Sequence, residues 1–401
     1  MGDYTTKEGK NTNSNGNRNS AFGFSALRFN KTGECNCAFG NDALNCEDVN
    51  VKDNKSKTDG SGSFNCAFGT QSLNFNKSGK SNCAIGYRAL YKNTIAHYNT
   101  AVGVCSLRNN TTGQKNVALG YHSLYNNNTG ENNNTLGYYS LRNNKTGNYN
   151  ISIGNLSLYN NTTTSSNTAI GGSSLYSNKG EGNVAIGNNT LFSKKEGDFN
   201  TAIGYLSNNY KDIINVTKST AIGYKSKAKG NYSIAIGAEA SANGENSIAI
   251  GTGAEAGKDE IRLGKKGTTN VYLDNINLTS DKRDKTDIKD SSLGLDFILG
   301  LRPVEYRWDM RANYENGKKD STKKGKRVHQ GFIAQDFQDL DFDFGGFQDH
   351  KINGGEDQLT LNYLELIAPL VKAIQDQQKI IEKQQKEIDL LNQIMYKKTE
   401  N

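Results

Sequence analysis

The sequence predicts a mainly β protein: a β-solenoid fibre of about fifteen short rungs, followed by an α+β domain that ends in a long trimeric coiled-coil helix. Three observations carry this expectation. A glycine recurs at a near-constant interval through the first two thirds, that period stops near residue 264, and apolar side chains recur at steps of three and four near the C-terminus. The implied organisation is a polar N-terminal segment (1–18), a repeat fibre (19–264), a neck (265–279) and a C-terminal domain (280–401).

The repeat aligns on the glycine of "NCAFG", "NTAVG", "NVALG" and "NTAIG", from Gly23 and Gly40 through Gly204 and Gly223 to Gly237, Gly251 and Gly264. Most intervals are 17 residues; the last three are 14, 14 and 13, and one, between Gly40 and Gly69, is 29. An Asn stands four residues before each of the first eleven glycines, Asn19 to Asn200, and a Leu four residues after each of the first ten, Leu27 to Leu191. Each unit therefore reads as a short strand, a glycine bend, a second short strand and a polar turn. Units this short bury no face alone, so they must stack rung on rung. Aligned Asn side chains then hydrogen-bond along the stack. Fifteen rungs at about 4.8 Å give a rod of roughly 70 Å. The long interval holds the charged "CEDVNVKDNKSKTDGSGS", read as a loop inserted at a rung edge. With about three apolar residues per rung, a single coil has little area to bury, so several chains side by side are expected.

Composition excludes several classes. Only 34% of the 401 residues are apolar, and Pro occurs twice. The net charge of +7 comes from 48 basic and 41 acidic residues, a solvated surface more readily than a phosphate-binding face, so no nucleic-acid partner is expected. No stretch is long and apolar enough for a membrane span, and the N-terminus has no apolar leader core, so ordinary secretion is not expected. Gly2 with Thr6 fits only the loosest acylation pattern.

Cys37, Cys66 and Cys83 fall three residues before a repeat glycine, where other rungs carry Ser, Thr or Val, and read as small fillers. The six Cys and four His have no metal-ligand spacing, so neither a metal nor another cofactor is expected. Outside the bends lie Tyr87, Tyr121 and Tyr138, and after the leucines Arg108 and Arg142 alternate with further tyrosines. Such a row suits stacking on sugar rings and is a candidate receptor surface; covering the thin core is the plainer role.

Beyond the fibre, "SSLGLDFILGL" reads as a short helix, "RPVEYRWDM" as a strand, "KRVHQGFIAQDF" as a strand running into a short helix, and 361–396 as a long helix. Within the last, Ile367, Leu370, Ile374, Gln377, Ile381, Gln384, Ile388, Leu391 and Met395 form a coiled-coil seam whose polar layers are compatible with a parallel trimer.

The 14-residue units "SIAIGAEASANGEN" and "SIAIGTGAEAGKDE" resemble the head repeats of trimeric autotransporter adhesins, which implies a trimeric β-roll for the fibre. Four further blocks, "SDKRDKTDI", "LRPVEYRW", "GFIAQDFQ" and "LNYLELIAPLVKAIQDQQ", resemble the intramolecular chaperone domain of phage endosialidases and other tail spikes. That resemblance implies a homotrimer in which the domain guides fibre folding and then cuts itself off before a serine. It implies a particle-surface location after assembly in a host cytoplasm, with a cell-surface glycan or receptor as partner. Carried over, Ser280 is the nucleophile, Lys285 the general base and Thr279–Ser280 the scissile bond, with His329 a candidate helper. The residue types agree, since a serine attacking the carbonyl before it needs a base within reach, and a lysine serves when burial or neighbouring cations favour its neutral form. Lys282 and Arg283 push that way, whereas Asp281, Asp284 and Asp287 oppose it. The alternatives are a charged turn in which Ser280 only caps a helix, a permanently capped adhesin without cleavage, a glycan-degrading tail spike, and a DNA-binding regulator.

Overall fold

A computed structural model describes residues 17–46, 60–193, 196–208, 215–265, 280–309, 314, 318–349 and 359–399. The chain divides into two compact units, Met1–Val271 and Tyr272–Asn401. The N-terminal segment to residue 16, residues 47–59 of the inserted loop, and the neck from residue 266, with Thr279, lie outside the described residues.

The first unit is built on one parallel sheet of fifteen three-residue strands, from Ser20–Phe22 to Ile261–Leu263, in which every strand pairs with its neighbours in sequence. Register is exact in repeat terms: Ala101 pairs with Ala84 and Ala118, each the centre of its strand. The pairing of Cys37 with Cys66 spans the 29-residue interval without a slip, so the insertion leaves the ladder intact.

Among the described residues the predicted second strand forms only in the last units, where Lys227–Ala228, Ser241–Ala242 and Glu255–Ala256 make a small parallel sheet. In the 17-residue units the segment after the glycine instead runs through left-handed turns. Arg108's rung is representative: φ is 54° at Cys105 and 48° at Leu107. A β-branched-free sequence at these positions is required, because a left-handed non-glycine residue already costs about 1–2 kcal/mol. Burial offsets that cost, since Leu107, Leu124, Leu141 and Leu158 are fully buried and stack with the strand alanines into one continuous core. The bend itself admits only glycine. At Gly120 φ is +126°, and an added Cβ would sit 2.4 Å from the carbonyl oxygen of Gly137 in the next rung.

Asparagine fills the remaining interior. The Asn116 backbone N–H donates to Asn99 Oδ1 (2.9 Å), and the Asn116 side-chain amide donates to the Gly130 carbonyl (2.8 Å). Asn133 repeats the pattern on Asn116 and Gly147, and Asn150 on Asn133. A second buried column, seven residues after each glycine, links Asn110, Asn127 and Asn144 amide to amide at 2.8 Å.

The central residue of each strand faces this core, and its two neighbours face outward. Cys37, Cys66 and Cys83 belong to an outward, half-buried row. Burial, together with the adjacent Cys83 and Cys37, pushes the Cys66 thiol up to about 11, which suits a filler rather than a nucleophile. The residue before the glycine, in contrast, is Phe, Ile, Val or Leu in all fifteen strands, from Phe22 to Leu263.

The second unit has its own small core of Phe297, Phe337, Phe344 and Leu366. Helix α1 (Leu295–Gly300) and the antiparallel pair Val304–Tyr306 with His329–Gly331 match the predicted elements. A second hairpin, Phe347–Asp349 with Leu359–Leu361, was not expected, and it takes Leu361 out of the predicted long helix. Helix α2 instead spans Ile367–Thr399 after a 3-10 turn at Tyr363–Leu366. No helix among the described residues is long and apolar enough to cross a membrane.

Removing one interior asparagine should be costly. Asn133→Ala strips the partner from the Asn150 N–H and the Gly147 carbonyl, a loss of about 2–5 kcal/mol, whereas Asn155→Ala on the exposed bend should stay within about 0.5 kcal/mol. Denaturant midpoints of the two variants check this; equal midpoints would refute the ladder's role.

Candidate functional site

Ser280 opens the described part of the second unit, just ahead of a single 3-10 turn at Lys282–Asp284. Asp281, not Ser280, caps this turn: its carboxylate accepts from the Arg283 backbone N–H at 2.9 Å. The Arg283 guanidinium closes on the same carboxylate, Nε lying 3.1 Å from both oxygens and Nη2 2.6 Å from Oδ2. That pairing holds the Asp281 carboxyl below its ordinary range and raises Arg283. The Lys285 N–H donates to the Lys282 carbonyl (3.2 Å), and its backbone is extended as it leaves the turn. Lys285 Nζ lies 2.7 Å from Ser280 Oγ and donates to it. A spacing of five residues is thus bridged by one tight turn.

Both side chains are exposed, as are Lys282 and Asp284. Since Arg283 is paired with Asp281, its charge is largely spent locally and presses little on Lys285.

His329 is placed elsewhere. It faces Tyr306 across the hairpin, with ring centroids 5.8 Å apart, and meets the Trp308 ring at 6.4 Å. Among the described residues its ring contacts are with these two aromatics, the packing expected of a structural residue. Nearby, the Tyr363 hydroxyl accepts from the Phe332 N–H (2.9 Å), and Arg302 pairs with Asp336 at 2.9 Å, which ties the "GFIAQDF" segment to its neighbours.

In the fibre, Tyr87, Tyr121 and Tyr138 are 42%, 42% and 49% exposed. Tyr121 and Tyr138 stack at 5.4 Å with planes 12° apart. Arg108 lies between Tyr91 (5.2 Å) and Tyr125 (5.6 Å), and Arg142 between Tyr125 (5.3 Å) and Tyr139 (5.2 Å). Arg88, His122 and Tyr139, which the sequence reading did not single out, belong to the same surface. Aligning the rungs at the second residue after each glycine would have found them.

With this geometry in place, comparison with known families is informative. Residues 280–346 match the model described as chaperone of endosialidase, and the match begins at Ser280 itself. The chain carries an endosialidase-chaperone domain. Two copies of the YadA head domain repeat match at residues 217–240 and 228–254, the stretch where the second strand forms. No curated protein matches the chain significantly. Together the endosialidase-chaperone domain and the YadA-type repeats support a fibre or adhesin that carries an intramolecular chaperone.

His329→Phe should preserve the stacked hairpin and leave any release of the endosialidase-chaperone domain unchanged. Loss of processing in a variant whose near-ultraviolet dichroism is intact would restore His329 as a helper.

Proposed function

We propose that the protein is a homotrimeric surface or tail fibre of a virus-like particle, and that its C-terminal domain drives trimer folding and then releases itself at Thr279–Ser280. The observation that carries the cleavage is the 2.7 Å contact between Lys285 Nζ and Ser280 Oγ at the first residue of the chaperone match. In that contact the ammonium donates to the hydroxyl; once neutral, the same amine accepts the hydroxyl proton. Ser280 Oγ then attacks the Thr279 carbonyl carbon, the Thr279–Ser280 C–N bond breaks as the acyl group passes to oxygen, and the proton is delivered to the departing Ser280 nitrogen. Water hydrolyses the resulting ester. The products are residues 1–279 and 280–401.

Two apolar lines support assembly of three chains. One is the outward row before the fibre glycines, which includes Phe22 (66% exposed) and Leu136 (49%). The other is the seam of α2, where Ile374, Ile381 and Leu391 stand 51–65% exposed. Apolar ladders this long are normally covered. Packing each against two copies of itself covers both with one symmetry. The row of Tyr87, Tyr121, Tyr138, Arg108 and Arg142 is then the proposed contact with a cell-surface glycan or receptor.

A permanently capped fibre is the second reading, and the exposure of both Ser280 and Lys285 favours it, because neither side chain is shielded from competing water.

Intact-mass analysis decides between them. The wild type should appear as two fragments meeting between Thr279 and Ser280, with Ser280→Ala and Lys285→Ala uncut. One uncut mass from a folded wild-type trimer would leave the cap reading in its place. Assembly is tested separately: Ile374→Asp with Ile381→Asp should bring the sedimenting mass of the Ser280→Ala protein down from trimer to monomer at micromolar concentration.

A further inference from the structure

The positive charge of this chain is not spread evenly. Residues 86–180 hold seven basic side chains (Arg88, Lys92, Arg108, Lys115, Arg142, Lys145 and Lys179) against the single acid Glu131. This segment therefore accounts for six of the seven net charges of the whole molecule. The fold then sorts the charges. The position five residues after the glycine reads Tyr91, Arg108, Tyr125, Arg142, Tyr159 and Tyr176 on six consecutive rungs.

The stacking of the rungs turns this alternation into a ladder. Each guanidinium of Arg108 and Arg142 sits between tyrosine rings at 5.2–5.6 Å, and Tyr159 continues onto Tyr176 at 5.2 Å with planes 4° apart. Arg88 flanks its start, 5.0 Å from Tyr87 and 5.3 Å from Tyr91. Among the described residues none of these three arginines pairs with a carboxylate. Cation–π contact holds each guanidinium, and part of its N–H edge is already engaged. Arg88 Nε donates to Gln71 Oε1 (2.7 Å), Arg108 Nη1 to Asn109 Oδ1 and the Tyr125 hydroxyl (3.2 Å each), and Arg142 Nη1 to Asn143 Oδ1 (3.4 Å). This leaves Nη2 of Arg108 and Arg142 and both Nη groups of Arg88 for an anion. Beside the ladder, Tyr121 and Tyr138 present a flat, half-exposed platform.

We propose that this stripe binds a linear carboxylated polysaccharide lying along the fibre axis, with sugar faces on Tyr121 and Tyr138 and carboxylates on Arg88, Arg108 and Arg142. The inference rests on the fibre reading above and specifies its partner. Charge spacing selects the class. Arg108 and Arg142 are two rungs apart, about 9.6 Å at the interstrand spacing, the scale of one charge per pair of sugars. A nucleic-acid strand carries a phosphate about every 3.4 Å, so most of its charges would lie against tyrosine rather than arginine. Aromatic faces backed by planar cations suit the apolar faces and carboxylates of uronate sugars.

The test is binding of hyaluronate and unsulfated chondroitin oligosaccharides, each with one carboxylate per pair of sugars, to the full-length Ser280→Ala protein at low salt, with neutral dextran and single-stranded DNA as controls. The expected result is carboxylate-polymer binding that weakens with added salt and is lost at least about 10-fold in Arg108→Gln/Arg142→Gln, while Arg108→Lys/Arg142→Lys, which keeps the charge and loses the planar fork, falls between that pair and the wild type. Tyr121→Ala/Tyr138→Ala should weaken binding without altering its salt dependence. Binding of neither acidic polymer, equal binding of dextran, tighter binding of DNA, or indifference to the glutamine pair would each overturn the proposal. Sedimentation of the same samples separates the two failures: a trimer that does not bind refutes this inference alone, and a monomer refutes the fibre reading beneath it.

Discussion

Exact repetition of one rung upon the next is the constraint from which the fibre follows. An asparagine whose Oδ1 accepts from the backbone N–H of the next rung, as Asn99 does from Asn116, works only when both rungs place that residue at the same height and angle. The same is true of the glycine bend, where the Gly120 Cα lies so near the Gly137 carbonyl that no side chain fits. Buried amides are expensive unless every donor and acceptor is met, so the ladder penalises any slip in register more heavily than an apolar core would. Leucines in left-handed turns are the visible counterpart: local strain is accepted because each one closes the column of buried side chains.

That rigidity has a kinetic cost. Fourteen parallel pairings between segments 13 to 29 residues apart form only after substantial chain has been ordered, and the unfinished edge of the stack exposes unpaired strand groups. A coiled coil, by contrast, nucleates from local contacts. In the proposed trimer, α2 placed after the fibre supplies a fast-forming junction that raises the local concentration of the fibre segments. Under the proposed release, the easiest route back is removed and the assembled fibre persists by the height of its unfolding barrier.

Much of this was legible in the sequence because the solenoid writes the same physics many times over. The Asn and Leu columns, the insertion after Gly40 and the strand register could be read from spacing alone. The left-handed path between Gly and Leu could not, since Cys105 or His122 gives no propensity for φ > 0 and only the neighbouring rung imposes it. In the C-terminal unit the order of elements was readable. The hairpin of Phe347–Asp349 with Leu359–Leu361 was missed, because Leu361 sits in phase with the helix that follows and periodicity cannot tell the two apart. At the candidate site the spacing of Ser280 and Lys285 was evident, but the pairing of Arg283 with Asp281, which decides where the cationic pressure goes, depends on the path of one 3-10 turn.

The run of equal intervals from Gly69 to Gly171 has a genetic corollary. Seven glycines in a row, each opening a unit with the same partners above and below, make those rungs interchangeable. Recombination in register deletes or duplicates whole rungs while preserving the pattern of Asn, Gly and Leu contacts that each rung makes with the next. Each event changes the reach of the fibre by about 4.8 Å, and the capping domain is untouched. Reach thereby becomes a trait that can vary in discrete steps, independently of the machinery that folds it.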